Sequence, residues 1–302
     1  MSSLSDAIAP LHAEIDPSYL LSREFPEVTQ EYTAHDWMLY GLGIGAGQDF
    51  THPYDLRHTT ERGFPFPSFG GVLAHPGAWM SEPDTGIDWG KVLHVGQSMR
   101  TYATLPTQAW VRARTRVVSV VDKGPATGVL VTFTRTLVNV ENGQPLADIT
   151  STAMCRANGG CGTAVDDSAP TVEPGAPIPS SPPDASTEIE VNPNSALLYR
   201  LSGDMNPIHA FPDAAESAGM SQPILHGLAT FGLALFHVFK TRQLEGGSGT
   251  EVGCRFTGTV LPGESLTIES WDHGNGFVFR VRALEREATV IDRGYMRQGV
   301  ER

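Results

Sequence analysis

Along residues 226–241, "HGLATFGLALFHVFKT", apolar side chains occupy nearly every position instead of a single stripe. A helix patterned this way offers no face to water, so it is expected to be surrounded by protein. Four runs follow, "EVGCRFTGTV", "ESLTIESW", "FVFRVRALER" and "EATVIDRGYM", strand-like and joined by turn signals such as "DHGNG". One enclosed helix and an antiparallel meander predict a sheet wrapped around a central helix. Ahead of the helix, "TEIEVNP" alternates as a short strand and "SALLYRLSG" reads as one or two helical turns ending at a glycine. A small helix near "PDAAESAG" has Gly219 as its expected C-cap. The first half of the chain carries comparable strands in "WVRARTRVVSVVDKG", "ATGVLVTFTRTLVN" and "PLADITSTAMCRA".

The two halves resemble each other. "WMLYGLGIGAG" aligns with "ALLYRLSGDMN", placing Tyr40 on Tyr199, Leu42 on Leu201 and Gly45 on Asp204. "HVGQSM" (94–99) likewise resembles "LPGESL" (261–266), and a similar spacing between copies points to duplication of one fold unit. Between the halves, residues 164–188 are rich in Pro, Ser, Ala and Asp and nearly free of large apolar residues. That composition predicts an extended linker. The expected organisation is a first module over 1–163, the linker over 164–188 and a second module over 189–302.

Composition narrows the field. The 302 residues are 40% hydrophobic and 18% charged, with a formal net charge of −13, which argues against a nucleic-acid partner. Cys155, Cys161 and Cys254 are scattered and form no metal-binding pattern, so free thiols in a reducing, cytoplasmic compartment are expected. The first twenty residues lack the basic start and apolar run of a secretory leader, and the "GVER" end lacks a Ser-Lys-Leu peroxisomal tail. No apolar stretch reaches the length of a membrane span.

The candidate chemistry lies in "SGDMNPIH", residues 202–209. In a helix, Asp204 and His209 would diverge by about 140°. Pro207 removes a backbone donor and steers Asn206 away from helical angles, so a turn is expected, and a turn can aim both side chains at one pocket. A carboxylate and an imidazole sharing one water can take a proton from it and return one to carbon. The same residue types also make Asx-turns beside a solvated histidine, and spacing alone leaves both readings open. His226 and Gly227 open the apolar helix, where unpaired N–H groups and a glycine suit an oxyanion, or simply close packing. His226 reads first as a structural histidine. Lys123, Arg200 and Arg255 are candidates for a phosphate-bearing ligand. Asp204, His209 and His226 offer metal-ligand atoms, but no third spacing typical of a metal site accompanies them, and no metal is expected.

"YRLSGDMNPIH" followed by "GMSQPILHGLATFG" strongly resembles the signature of the R-specific 2-enoyl-CoA hydratases, hydratase 2 of the MaoC-like dehydratases. "YTAHDWMLYGLGIGAG", "LPTQAWVRARTRVVSVVDKG" and "RFTGTVLPGESL" resemble the two-module members. The resemblance implies an α+β double hot-dog fold, two modules each with an antiparallel sheet around a central helix. It implies Asp204 and His209 as the catalytic dyad, Asn206 as its support, and the Gly227 N–H as the group that polarises a thioester carbonyl. His94 and Lys123 match positions lining the substrate site, and Arg255 with Phe256 lie where relatives contact CoA. The first module would shape the acyl tunnel, in keeping with Gly45 opposite Asp204. The reaction implied is reversible syn hydration of a trans-2-enoyl-CoA to an (R)-3-hydroxyacyl-CoA in fatty-acid or related acyl-CoA metabolism, without cofactor, by a homodimer. Hydrolysis of the thioester and non-catalytic thioester binding are the rival readings. "LHVGQ" and "GGCGT" depart from Leu-His-Gly-Glu-Gln and Gly-Gly-Phe-Gly-Gly in relatives, which implies altered acyl preference.

Overall fold

A computed structural model describes residues 14–168 and 175–299. The leader reading of the first twenty residues, the "GVER" end and the middle of the linker therefore lie partly or wholly outside the described residues. The first module contains α1 (Pro17–Ser22), β1 (Glu27–Tyr32), α2 (Ala34–Gly43), α3 (Pro53–Arg57), β2 (Val92–Thr101), β3 (Ala109–Asp122), β4 (Val129–Asn139) and β5 (Pro145–Cys155). The second part contains β6 (Ala164–Val165), β7 (Ala185–Glu190), α4 (Ser195–Tyr199), α5 (Pro212–Ser217), α6 (Gly227–Thr241), β8 (Thr250–Phe256), β9 (Ser265–His273), β10 (Gly276–Ala283) and β11 (Ala288–Arg297).

Alternation builds the strands. In β3, Ala109, Val111, Ala113, Thr115 and Val117 point inward while Trp110, Arg112, Arg114 and Arg116 stay exposed. All the strands join one antiparallel sheet in the order β1-β3-β4-β5-β2-β8-β11-β10-β9-β7, with β6 added beside β3. The order is a mirror about the β2–β8 pair, so each half contributes the same five-strand unit. This is a double hot-dog. At the seam Arg100 donates to Glu251, its cross-strand neighbour, at 2.8 and 3.0 Å.

Within the second module α6 is the enclosed helix that its pattern predicts: every residue from Ala229 to Phe239 is buried. Among its described residues the first module has no helix of that length. Between α2 and β2 its chain runs through α3 and short 3-10 turns at Pro67–Val72, Trp79–Ser81, Pro83–Thr85 and Trp89–Lys91. Prolines at 53, 65, 67, 76 and 83 interrupt any longer helix there. α2 itself starts at a capping box, the Asp36 carboxylate accepting from the Thr33 N–H at 2.7 Å.

The first repeat alignment agrees with the packing. α2 and α4 lie against each other, Tyr40 and Tyr199 have ring centroids 5.8 Å apart, and a Cβ on Gly43 would sit 3.2 Å from the Tyr199 Cα. The second alignment slips by a strand. "HVGQSM" lies in β2, whose mirror partner is β8, whereas "LPGESL" leads into β9, the partner of β3. A glycine among apolar residues marks many strand entries, so so short a string does not fix which strand is meant. Both ends of the 164–188 segment also belong to the sheet: Ala164 and Val165 pair with β3, and β7 begins at Ala185. Between them the Ser181 carbonyl accepts from the Trp271 indole at 2.8 Å.

Candidate active site

The proline-broken turn is present as the sequence implies. Gly203 takes φ +120°, reversing the chain after the turn that follows α4. Asp204 Oδ1 then accepts from the Asn206 N–H at 3.1 Å, and Asn206 Oδ1 accepts from the Ile208 N–H at 3.2 Å, capping a 3-10 turn over Pro207–His209. The Asx-turn reading is thus correct as far as it goes. The turn also delivers the imidazole inward: Asp204 is exposed, while His209 is buried.

A long-range contact fixes the state of His209. Its Nδ1–H donates to the Ile224 carbonyl at 2.9 Å, which leaves Nε2 as the free lone pair of the neutral ring. Burial lowers its pKa, opposed by that hydrogen bond and by the Asp204 charge, with Arg200 acting in the same direction as burial. His226 lies beneath it, the two rings stacked with centroids 3.6 Å apart and planes at 25°. A carboxylate oxygen of Asp204 and one ring nitrogen from each histidine fall within 4.8 Å of one another. One water can bridge any two of these atoms through ordinary hydrogen bonds. Three such atoms also match a metal site in number.

Gly227 is the first residue of the fifteen-residue α6, so its N–H belongs to the unpaired first turn at the positive end of the helix dipole. A Cβ built on Gly227 would touch the Phe256 ring at 3.7 Å, and Phe256 in turn lies 5.0 Å from the His94 ring. His94 Nε2 bonds the Gly96 carbonyl at 2.9 Å, burial pushes its pKa down to about 4, and it feels the Asp204 charge. Asp204, Asn206, His209, Gly227, His94 and Phe256 therefore meet in one place. Arg255 is exposed at the end of β8 and, with Phe256, borders a cavity of about 900 Å³ over one face of the sheet, the face to which Thr132 and Thr134 of β4 and Thr150 and Thr152 of β5 belong. Lys123 is exposed in the β3–β4 turn, its backbone N–H bonded to the Gly128 carbonyl at 2.9 Å. No contact among the described residues ties its side chain to the cluster.

Two members escaped the sequence reading. His75 is exposed in the loop before β2, within electrostatic reach of Asp204, His94 and Arg135. Tyr199 lies with its ring 4.9 Å from that of His226, and its hydroxyl is buried without a partner. For Tyr199 the repeat itself was a signal, since it stands opposite Tyr40. Nothing in the sequence around His75 marks it.

Comparison with known proteins gives the family. Residues 30–157 match the MFE-2 hydratase 2 N-terminal domain, and residues 175–293 match the MaoC like domain. The chain is 33% identical to the enoyl-CoA hydratase ChsH3 of Mycobacterium tuberculosis over 92% of its own length and 96% of that protein. It belongs to the MaoC-like dehydratases, in the hydratase 2 group. The peroxisomal enoyl-CoA hydratase 2 of Arabidopsis thaliana is 32% identical, covering 94% of this chain and 96% of the plant protein. A MaoC-like dehydratase from Phytophthora capsici superposes with a TM-score of 0.79 at 25% identity, covering 94% of this chain and 99% of that one. Within this hydratase 2 member, no described helix is long and apolar enough to cross a membrane.

Proposed function

We propose that this chain is a hydro-lyase that adds water reversibly to a trans-2-enoyl-CoA, giving the (R)-3-hydroxyacyl-CoA. The observation that carries the reading is the meeting of Asp204 and His209 beside the N-terminus of α6 at Gly227. A water held between the Asp204 carboxylate and His209 Nε2 loses a proton to the pair as its oxygen bonds C3. Electron density moves through C2 onto the thioester oxygen, where the Gly227 N–H and the helix dipole stabilise the enolate. The pair then returns a proton to C2 on the same face, so one water has been added and nothing else consumed. No metal or redox cofactor enters this step. Asn206 holds the turn, and His94 and Phe256 wall the site.

We assign the CoA portion to the cavity bordered by Arg255 and Phe256, where Arg293 supplies a second cation. Lys123 is carried as a further CoA contact on family resemblance alone. The acyl chain would extend past Leu228 toward the first module. A cytoplasmic location and a homodimer complete the proposal. The three free thiols fit a reducing compartment, and sedimentation of the purified protein tests the dimer.

The test is loss of enoyl-thioester absorbance with trans-2-enoyl-CoAs of several lengths, with the chirality of the product determined. Asp204→Asn and His209→Gln are each expected to lower kcat by about 10²–10⁴-fold while the proteins remain folded. Near wild-type rates in both variants would refute the dyad. Release of free thiol from a saturated acyl-CoA would favour a thioesterase, and ligand-dependent stabilisation without turnover a binding module.

A further inference from the structure

His226 enters the family signature only as the residue ahead of Gly227, yet three features connect it to the reacting pair. Its ring covers one face of His209 at 3.6 Å. Its Nε2–H donates to the backbone carbonyl of Asp204 at 3.1 Å, tying the start of the catalytic turn to the N-terminus of α6. Its Nδ1 is buried and has no partner, although the residue is only 1% exposed. A histidine kept only for packing would be replaceable by an apolar ring without leaving a nitrogen unsatisfied, so the orphaned lone pair is a cost the site carries.

Resting on the hydratase reading, we propose that His226 is a positioning residue that sets the ring orientation and tautomer of His209 and the placement of Asp204. Two contacts divide the work. The stacked face stops the His209 ring from turning, so Nδ1–H stays on the Ile224 carbonyl and Nε2 stays toward the water. The Nε2–H bond fixes the Asp204 backbone and thereby the distance between the two acid–base groups. The Nε2–H bond forms in either charge state of His226, whereas the stack needs it neutral when His209 carries the proton. The groups facing it are His209 from the 3-10 turn, Asp204 from the loop, Arg200 ahead of that loop and Tyr199 from α4. Burial and the neighbouring His209 hold its pKa down to about 4, so it stays uncharged while His209 cycles.

Two substitutions separate the contacts. His226→Gln retains a donor within reach of the Asp204 carbonyl and loses the ring face; His226→Phe retains the face and loses the donor. Each is expected to lower kcat by about 10-fold or more, a share of the ~10²–10⁴ that an acid–base group supplies, with the KM for enoyl-CoA held within about two-fold. Nitrogen-15 spectra of labelled histidine should show His209 as the Nδ1–H tautomer in the wild type and as a tautomer mixture in His226→Gln. Unchanged kcat and an unchanged His209 signal in both variants would overturn the proposal. So would kcat and KM worsening together with a fallen Tm and an intact His209 tautomer, which is what a packing role alone produces. Should the bulkier Phe variant fail to fold, the Gln variant decides. A wild type inactive on every enoyl-CoA would refute the hydratase reading, and the tautomer spectra would still decide the role of His226.

Discussion

At the level of single residues, His209 is set by groups distant in sequence, and its titration should report them. Burial and Arg200 favour its neutral form, while the Ile224 bond and Asp204 favour the charged one. The balance lies below the ordinary histidine value, so kcat/KM is expected to fall on acidification only below that value. Arg200→Gln removes a positive neighbour and makes protonation of His209 easier. The acid limb of the pH–rate profile should therefore move to higher pH; a limb that stays in place or moves down would contradict this electrostatic account. The arrangement also shows what spacing conveys and what it does not. The turn at 202–209 follows from Gly203, Asn206 and Pro207, all of which act locally. That the turn presents its imidazole beside Asp204 follows from Ile224 and His226, 15 and 22 residues from their partners. Those distances belong to tertiary packing, and it was the likeness to a known signature that brought them within reach of the sequence.

Among the elements, α6 was evident because a helix apolar on every side has one physical solution, and β3 because five inward positions alternate with four outward ones. The first module kept no such signal for the region between α2 and β2, since short proline-started turns carry no periodicity. The closeness of α2 to α6 is also invisible in a pattern and rests on one glycine. A Cβ on Gly232 would sit 2.6 Å from Ile44 Cγ2 and 2.8 Å from the Tyr40 hydroxyl, which itself bonds Ser68 at 2.8 Å. Ile44 and Tyr40 are fully buried and cannot turn aside. Helix propensity alone would make Gly232→Ala stabilising by about 1 kcal/mol. Overpacking a closed core costs about 1–3 kcal/mol, so the clash should at least cancel the gain and the variant should lose up to about 2 kcal/mol in urea unfolding. A raised midpoint would mean that α6 has slack against α2.

Across the whole molecule, the buried imidazoles link stability to pH. His58, His226 and His237 are buried, each has one nitrogen without a partner, and burial pushes each pKa down to about 4. In the unfolded chain a histidine titrates near 6.5. Between about 6.5 and about 4 the unfolded state therefore binds more protons than the native one, and stability must fall as pH falls through that window. Each imidazole contributes at most about 1.4 kcal/mol per pH unit to the slope. The total stability of such a protein is about 5–15 kcal/mol, so unfolding near the lower end of the window is expected. His58 isolates the effect because it lies outside the catalytic cluster, ringed by Tyr54, Phe64, Phe66 and Phe236 at 5.2–6.1 Å. His58→Phe suits that aromatic box and loses only the Nδ1 bond to the Phe64 carbonyl. It should be less steeply destabilised by acid than the wild type, by up to about 1.4 kcal/mol per pH unit between pH 6 and 4.5, in urea midpoints taken across that range. Parallel slopes would show that the native fold lets His58 protonate without opening, and the acid limit would then have to come from the histidines stacked at the site.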